Sequence, residues 1–152
     1  MTAGVSHRVV VLTPPGAGAI GVVRLIGPDA ISMVNQAFRQ AAGAQLSPSE
    51  GDRLRYGHFV DGEEVIDDVI VSLTTIQGRP AIDISAHGGV RVIERILQTL
   101  ERLGAGVCEP EEAVELAWPT GSLIEHEALE ALTRAKTERA VRFLAWQREH
   151  LV

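Results

Sequence analysis

Arg24, His87 and a set of glycines are the residues whose types and spacing lend themselves to ligand chemistry. They fall in two segments far apart in the chain. The first is Thr13-Pro14-Pro15-Gly16-Ala17-Gly18-Ala19-Ile20-Gly21-Val22-Val23-Arg24 and the second is Asp83-Ile84-Ser85-Ala86-His87-Gly88-Gly89. Glycines at such places let backbone approach backbone, or a ligand, closely. From the residues alone, the first segment is either a tight loop between two strands or a loop that lines a ligand. It is not a phosphate loop, which needs a lysine followed by serine or threonine after its glycines; here Gly21 is followed by Val22 and Val23. A dinucleotide loop opens a helix, whereas strand-forming residues follow here. No other part of the chain reads as a GTP site. Arg24 ends an apolar run, and its guanidinium suits bidentate pairing with a carboxylate, belonging either to a ligand or to the protein. His87 stands before a helix opened by Gly88 and Gly89, where N-terminal amides attract anions. It either donates to a ligand or ties the strand-to-helix turn.

Other chemistry finds less support. His7, His58, His126 and His150 are scattered without ligand spacing, so no metal site is expected. Asp67 and Asp68 are adjacent, which sends their side chains to opposite faces of a strand and makes no paired-carboxylate site. Cys108 lies beside apolar residues and reads as core filling. No serine sits in a nucleophile elbow, so no independent hydrolase or transferase constellation is present. Glu111, Glu112 and Glu115 read as a solvated helical face, and Glu127 falls where a helical tail meets the domain. The net charge of −6 argues against a nucleic-acid surface, which needs cations to replace phosphate counterions. Only a local patch of Arg8, Arg53, Arg55, Arg91 and Arg95 runs the other way. One cysteine permits no internal disulfide and suits a reducing compartment. With no basic-then-apolar leader and no apolar run of the roughly 20 residues that a span needs, the expected location is cytoplasmic, with no membrane partner.

The elements that must position these residues follow from the apolar pattern. A chain of 152 residues with 45% hydrophobic and 4% aromatic residues expects one core built from Val, Ile, Leu and Ala. Valine-rich runs predict strands at 7–12 and 20–25. Pro28 and Asp29 start a helix whose apolar face is Ala30, Ile31, Val34, Ala37 and Phe38. A strand over 53–60, the turn signal Asp61-Gly62 and a return strand over 68–73 predict a hairpin. The polar stretch 74–80 reads as a loop, and 81–86 as a further strand. After Gly88-Gly89, Val90, Ile93, Ile96, Leu97, Leu100 and Leu103 recur at helical steps, and Gly104 is the stop. A short strand is expected over 105–108 and a helical turn after Pro110 to Ala117. Trp118-Pro119-Thr120-Gly121 breaks the pattern. Residues 125–151 then read as one long helix or two consecutive ones, with Leu129, Leu132, Ala140, Phe143, Leu144 and Leu151 as its apolar side. The fold expected is α+β: a mostly antiparallel sheet covered by helices, over 1–120, with a C-terminal helical tail over 121–152.

These residues resemble the N-terminal domain of the tRNA-modification GTPase family. That family carries a Thr-Pro-Pro-Gly-Arg-Gly-Ala-Ile-Gly-Val-Val-Arg-like motif, which Thr13 to Arg24 follows, with Ala17 in place of the arginine. Gly27-Pro28-Asp29-Ala30 continues the match. Tyr56-Gly57-His58, Asp61-Gly62 and Val65-Ile66-Asp67 resemble its hairpin, and Asp83 to Gly89 resembles its Glu-Ile-X-X-His-Gly-Gly. Weaker echoes occur at Glu109-Pro110-Glu111-Glu112 and Ala117-Trp118. Gly121, Leu123, Glu127-Ala128 and Ala135-Lys136-Thr137-Glu138 follow the start of the family's helical domain. The likeness runs from about His7 to Leu144.

The resemblance implies a domain that binds 5-formyltetrahydrofolate or another tetrahydrofolate derivative and forms a homodimer, with the folate supplying a one-carbon unit for a tRNA base. The cofactor-binding residues it implies are Gly18, Ile20, Gly21, Arg24, His87, Gly88, Gly89 and Glu127. It also implies a place in a tRNA-modification complex. Family members carry an inserted GTPase domain and a terminal cysteine motif. Neither is found in these 152 residues, so the chain reads as an excised domain or a short relative, not catalytic alone and without GTP hydrolysis. The family's acidic loop is replaced by Ile76-Gln77-Gly78-Arg79-Pro80, and two of its arginines by Glu109 and Leu116. The alternative reading is therefore a non-catalytic dimerisation or interaction domain that has lost folate binding.

Overall fold

The computed structural model describes residues 7–14, 16, 18–50, 53–76, 78–109, 112 and 123–150. It divides into two compact units, 1–113 and 114–152. The first is an α+β unit built on one seven-stranded sheet. In chain order its elements are β1 (Arg8–Val11), β2 (Ile20–Ile26), α1 (Ala30–Ala37), β3 (Phe38–Gln40), β4 (Arg55–Asp61), β5 (Glu64–Ile76), β6 (Arg79–His87), α2 (Val90–Arg102) and β7 (Gly106–Val107), with a 3-10 turn at Pro48–Glu50. The strand order is β3-β4-β5-β6-β2-β1-β7, and every pairing is antiparallel except β1 with β7.

One face of the sheet is closed by the two helices. Alternate residues point to opposite faces of a strand, and the inward set includes Val9, Val23, Leu25, Phe59, Val69, Val71, Ile82 and Ile84, all essentially inaccessible. Ala30, Met33, Val34 and Ala37 of α1 and Ile96 and Leu100 of α2 complete that core. Helix α2 ends in a Schellman motif. The N–H of Gly104 donates to the Glu101 carbonyl and the N–H of Ala105 to the Leu100 carbonyl, with Gly104 at φ +107°.

Several boundaries differ from the sequence expectation for identifiable reasons. Asp29 is the N-cap of α1 and Pro28 lies in the preceding turn. Phe38, expected on the helix, begins β3 and pairs with Phe59. The polar stretch 74–80 is not a loop: β5 runs on to Ile76, which pairs with Arg79, and Thr75 pairs with Pro80. Its threonines satisfy β geometry while facing water, so polarity there marks an exposed strand end. The helical turn expected after Pro110 falls largely outside the described residues.

The second unit is a helical pair, α3 (Leu123–Arg134) and α4 (Glu138–His150), which pack on each other. The tail is thus two helices. Thr137 makes the break, its Oγ1 accepting the N–H of Ala140 as an N-cap does. Phe143, expected on the apolar side, is exposed, as is Trp146, whose ring stacks on His150. Among the described residues no helix is long and apolar enough to cross a membrane.

Leu100 is fully buried where α2 meets the sheet. Leu100→Ala is expected to cost about 2–5 kcal/mol, read as a lowered denaturation midpoint at constant m-value.

Candidate functional site

The two glycine segments meet. The N–H of Gly88 donates to the Ala19 carbonyl at 3.1 Å, and the N–H of Gly18 to the Gly88 carbonyl at 3.4 Å. This approach needs glycine: a Cβ on Gly88 would run into the Gly18 carbonyl, and a Cβ on Gly21 would come within 2.5 Å of Ile93 Cδ1. The β1–β2 connection is closed at its base by Leu12 N–H to the Val22 carbonyl and by Val22 N–H to Thr13 Oγ1. Between this loop and the first turns of α2 lies a cavity of about 260 Å3. Val11, Ile20, Val90 and Ile93 give it apolar walls, with Thr13 and Glu94 as polar groups.

The structure therefore brings together Gly18, Ile20, Gly21 and Gly88, with Gly89 beside them as the N-cap of α2. The sheet separates the other candidates. Arg24 lies on the face away from α2, where its Nε and Nη2 donate to the two carboxylate oxygens of Asp83 on β6 at 2.6 and 2.7 Å. Both side chains are largely buried, and the hydrogen bonds to Asp83 hold the Arg24 guanidinium above its ordinary pKa against the opposing pull of burial. The carboxylate left open by the sequence thus has an internal candidate, one that the Arg24↔Asp83 register supplies. Glu127 is exposed on α3, in the second unit.

His87 ends β6 opposite Ile20. Its backbone N–H donates to Asp67 Oδ2 at 2.7 Å and its Nδ1 bonds to Asp67 Oδ1 at 2.8 Å. Asp68 points the other way, to His58 Nδ1 at 2.6 Å. Asp68 also pushes the Tyr56 phenol above its usual pKa, mainly through its charge. Cys108 is buried as expected. Burial pushes its thiol up, and the Nε of Arg8 donates to its Sγ at 2.9 Å. No group of three or more metal-ligating side chains occurs among the described residues.

Sequence reasoning missed Asp83, Asp67 and the α2 residues of the cavity. The first two are partners fixed by strand register. The apolar first turn Val90–Ile93, directly after two glycines, was the available signal for the third.

A family model described as the N-terminus of the GTP-binding protein TrmE matches residues 9–121. Among curated relatives, the tRNA modification GTPase MnmE of Streptococcus thermophilus is 42% identical over 135 residues, covering 85% of this chain and 29% of its own length. The protein of that name from Lacticaseibacillus paracasei is 42% identical over 137 residues, with the same coverage of both chains. That from Bacillus subtilis is 38% identical over 137 residues, covering 85% of this chain and 30% of its own length. The chain thus spans about three-tenths of the length of the curated relatives it matches.

Two outcomes follow from the geometry. Arg24→Ala leaves the Asp83 carboxylate largely buried and unpaired, and should lower stability by about 1–3 kcal/mol. Arg24→Ala combined with Asp83→Ala should recover part of that loss in a double-mutant cycle. Tyr56 is the single tyrosine, so its phenolate absorbance can be titrated directly. Asp68→Asn should bring its pKa down towards the ordinary value.

Proposed function

The chain belongs to the family of TrmE N-terminal domains, and on that premise we propose that it binds a reduced folate and self-associates as a tRNA-modification module. The ligand proposed is 5-formyltetrahydrofolate or another tetrahydrofolate derivative. The observation that carries this reading is the cavity formed where the two glycine segments meet. Ligand sites are concave, largely apolar and furnished with a few polar groups, and the walls formed by Val11, Ile20, Val90 and Ile93 with Thr13 and Glu94 fit that description. At about 260 Å3 the space suits the flat pterin head, with the aminobenzoyl-glutamate tail left outside.

In this reading Gly18, Gly21 and Gly88 act by absence. They let the loop, β2 and the start of α2 approach closely enough to build the cavity wall. Ile20 and the α2 residues sandwich the ring. Arg24 would meet a ligand carboxylate only in exchange for Asp83. The region to about residue 120 is the folate module, and the helical pair is the beginning of the family's helical region. GTP hydrolysis and tRNA chemistry are assigned to other parts of a complex, with this chain as a cytoplasmic protein partner.

Self-association draws on the sheet face not covered by helices. There Tyr56 and Ile70 are exposed as cross-strand neighbours, with half-buried Val22 beyond Ser85 in the same row. This same face favours the second reading, an assembly domain without folate.

Calorimetric titration with 5-formyltetrahydrofolate, run with light scattering on the same sample, tests both. A dimer giving saturable heat supports the proposal, and Val90→Asp, at an exposed position of the cavity wall, should then weaken binding at least tenfold, about 1.4 kcal/mol. A folded dimer giving no heat leaves the assembly reading, and a monomer at all concentrations removes it.

A further inference from the structure

We infer that Glu94 is the specificity-determining residue of the cavity and reads a paired N–H edge on a flat ligand ring. The ligand class is then a heteroaromatic with an amino group beside a ring N–H, and not one with a carbonyl in place of that amino group. This deepens the folate reading and rests on it for the identity of the ligand, whereas the edge preference belongs to the cavity itself.

Helix periodicity places Glu94 on the cavity wall. Val90 and Glu94 stand four residues apart on one face of α2, with Ile93 beside them, and all three line the cavity. The wall that α2 offers is apolar through its first turn and ends in a carboxylate. Two arginines further along α2 are held by the β4–β5 hairpin. Both terminal nitrogens of Arg95 donate to the Glu64 carboxylate at 2.8 Å, and Arg102 pairs with Asp61 at 2.6 Å. Glu94 is left out of this network. Among the described residues its side chain enters no ion pair or hydrogen bond. Its acceptor capacity is therefore available to whatever fills the space.

The other polar groups around the loop are largely committed. The Gly18 and Gly88 N–H groups are bonded across the junction, to the Gly88 and Ala19 carbonyls. Thr13 Oγ1 accepts the Val22 N–H at 3.2 Å, which leaves its hydroxyl hydrogen to donate. Of the side chains lining the cavity, a ring seated there meets polar atoms only from Glu94 and Thr13.

An ionised carboxylate accepts hydrogen bonds and donates none, and its two oxygens match two parallel N–H groups. A pterin carries such a pair, the ring N3–H and the 2-amino group. Lumazine, the same ring with a 2-carbonyl, sets an oxygen against the carboxylate instead. Glutamine keeps the shape of glutamate with one oxygen exchanged for an N–H donor, so it matches the alternating N–H and carbonyl edge of lumazine.

Pterin and lumazine, compared in protein-observed NMR titrations of the wild-type chain and of Glu94→Gln, test the assignment. Glu94 is exposed, and its substitution breaks no bond within the described residues, so Glu94→Gln should stay folded, which its amide spectrum reports directly. Wild type should bind pterin roughly tenfold or more tightly than lumazine, and Glu94→Gln should abolish or reverse that preference. Equal affinity of wild type for the two rings overturns the inference. So does a folded Glu94→Gln that keeps the wild-type ratio, the result of a merely structural role. 5-Formyltetrahydrofolate separates this inference from the folate reading. If it binds wild type and Glu94→Gln equally, the folate reading stands and the role of Glu94 falls. If it does not bind, while pterin does and loses its preference in Glu94→Gln, the folate reading falls and the role of Glu94 stands. No binding of any of the three compounds overturns both.

Discussion

The close approach of Gly88 to Gly18 is the constraint on which the rest of the site depends. Two backbone hydrogen bonds, Gly88 N–H to Ala19 and Gly18 N–H to Gly88, tie the loop before β2 to the start of α2. Neither strand register nor helix packing would tolerate a side chain at this junction, since a Cβ on Gly88 meets carbonyl backbone and not the movable end of a side chain. The junction fixes where α2 begins, and hence which of its residues reach the core and which reach the cavity. Ile96 and Leu100, further along the helix, are buried, while Val90, in the first turn, is left exposed beside the open space.

The two faces of the sheet divide the labour. The helix-covered face supplies the core. The open face carries polar pairs: Arg24 with Asp83, and His58 hydrogen-bonded to Asp68 beside Tyr56. A largely buried ion pair gains little net stability over well-packed apolar side chains, because desolvation offsets most of the attraction. Breaking one partner is costly all the same, so the pair acts as a lock on the β2–β6 register and as a barrier to recruitment of Arg24 by an incoming carboxylate. A ligand that used Arg24 would have to outcompete Asp83, which already accepts two well-aligned hydrogen bonds.

Much of this was legible from residue pattern, and the parts that were not share one cause. Helix α2, its glycine stop, the central hairpin and the antiparallel character of the sheet follow from apolar periodicity and turn chemistry, which are local. Asp83 and Asp67 could not be assigned, because their partners are set by cross-strand register and not by spacing along the chain. The ends of β5 and the start of β6 were hidden for a related reason. Thr74, Thr75 and Arg79 are polar because they face water, yet a hydrophobicity pattern treats them as a loop. The break in the helical tail was written in Thr137, which precedes Glu138 as an N-cap should, but Ala135 and Lys136 are good helix formers and masked it. His87 was legible as a ligand residue or a turn tie, and the geometry gives it a turn tie through its backbone N–H while its ring stays outward.

Charge narrows what the proposed ligand can present to this site. Among the described residues lining the cavity Glu94 alone is ionisable, and a carboxylate repels an anion while accepting hydrogen bonds from N–H groups. Such a group at one small space favours a ligand edge rich in donors and disfavours insertion of a second carboxylate. A folate molecule has both kinds of end, the amino-substituted pterin and the glutamate tail. In the folate reading proposed above, Glu94 would give binding a direction, pterin inward and tail outward, without calling on Arg24. The cost of giving up the Arg24–Asp83 pair is then avoided, and the β2–β6 register on which the cavity rests stays intact when the site is filled.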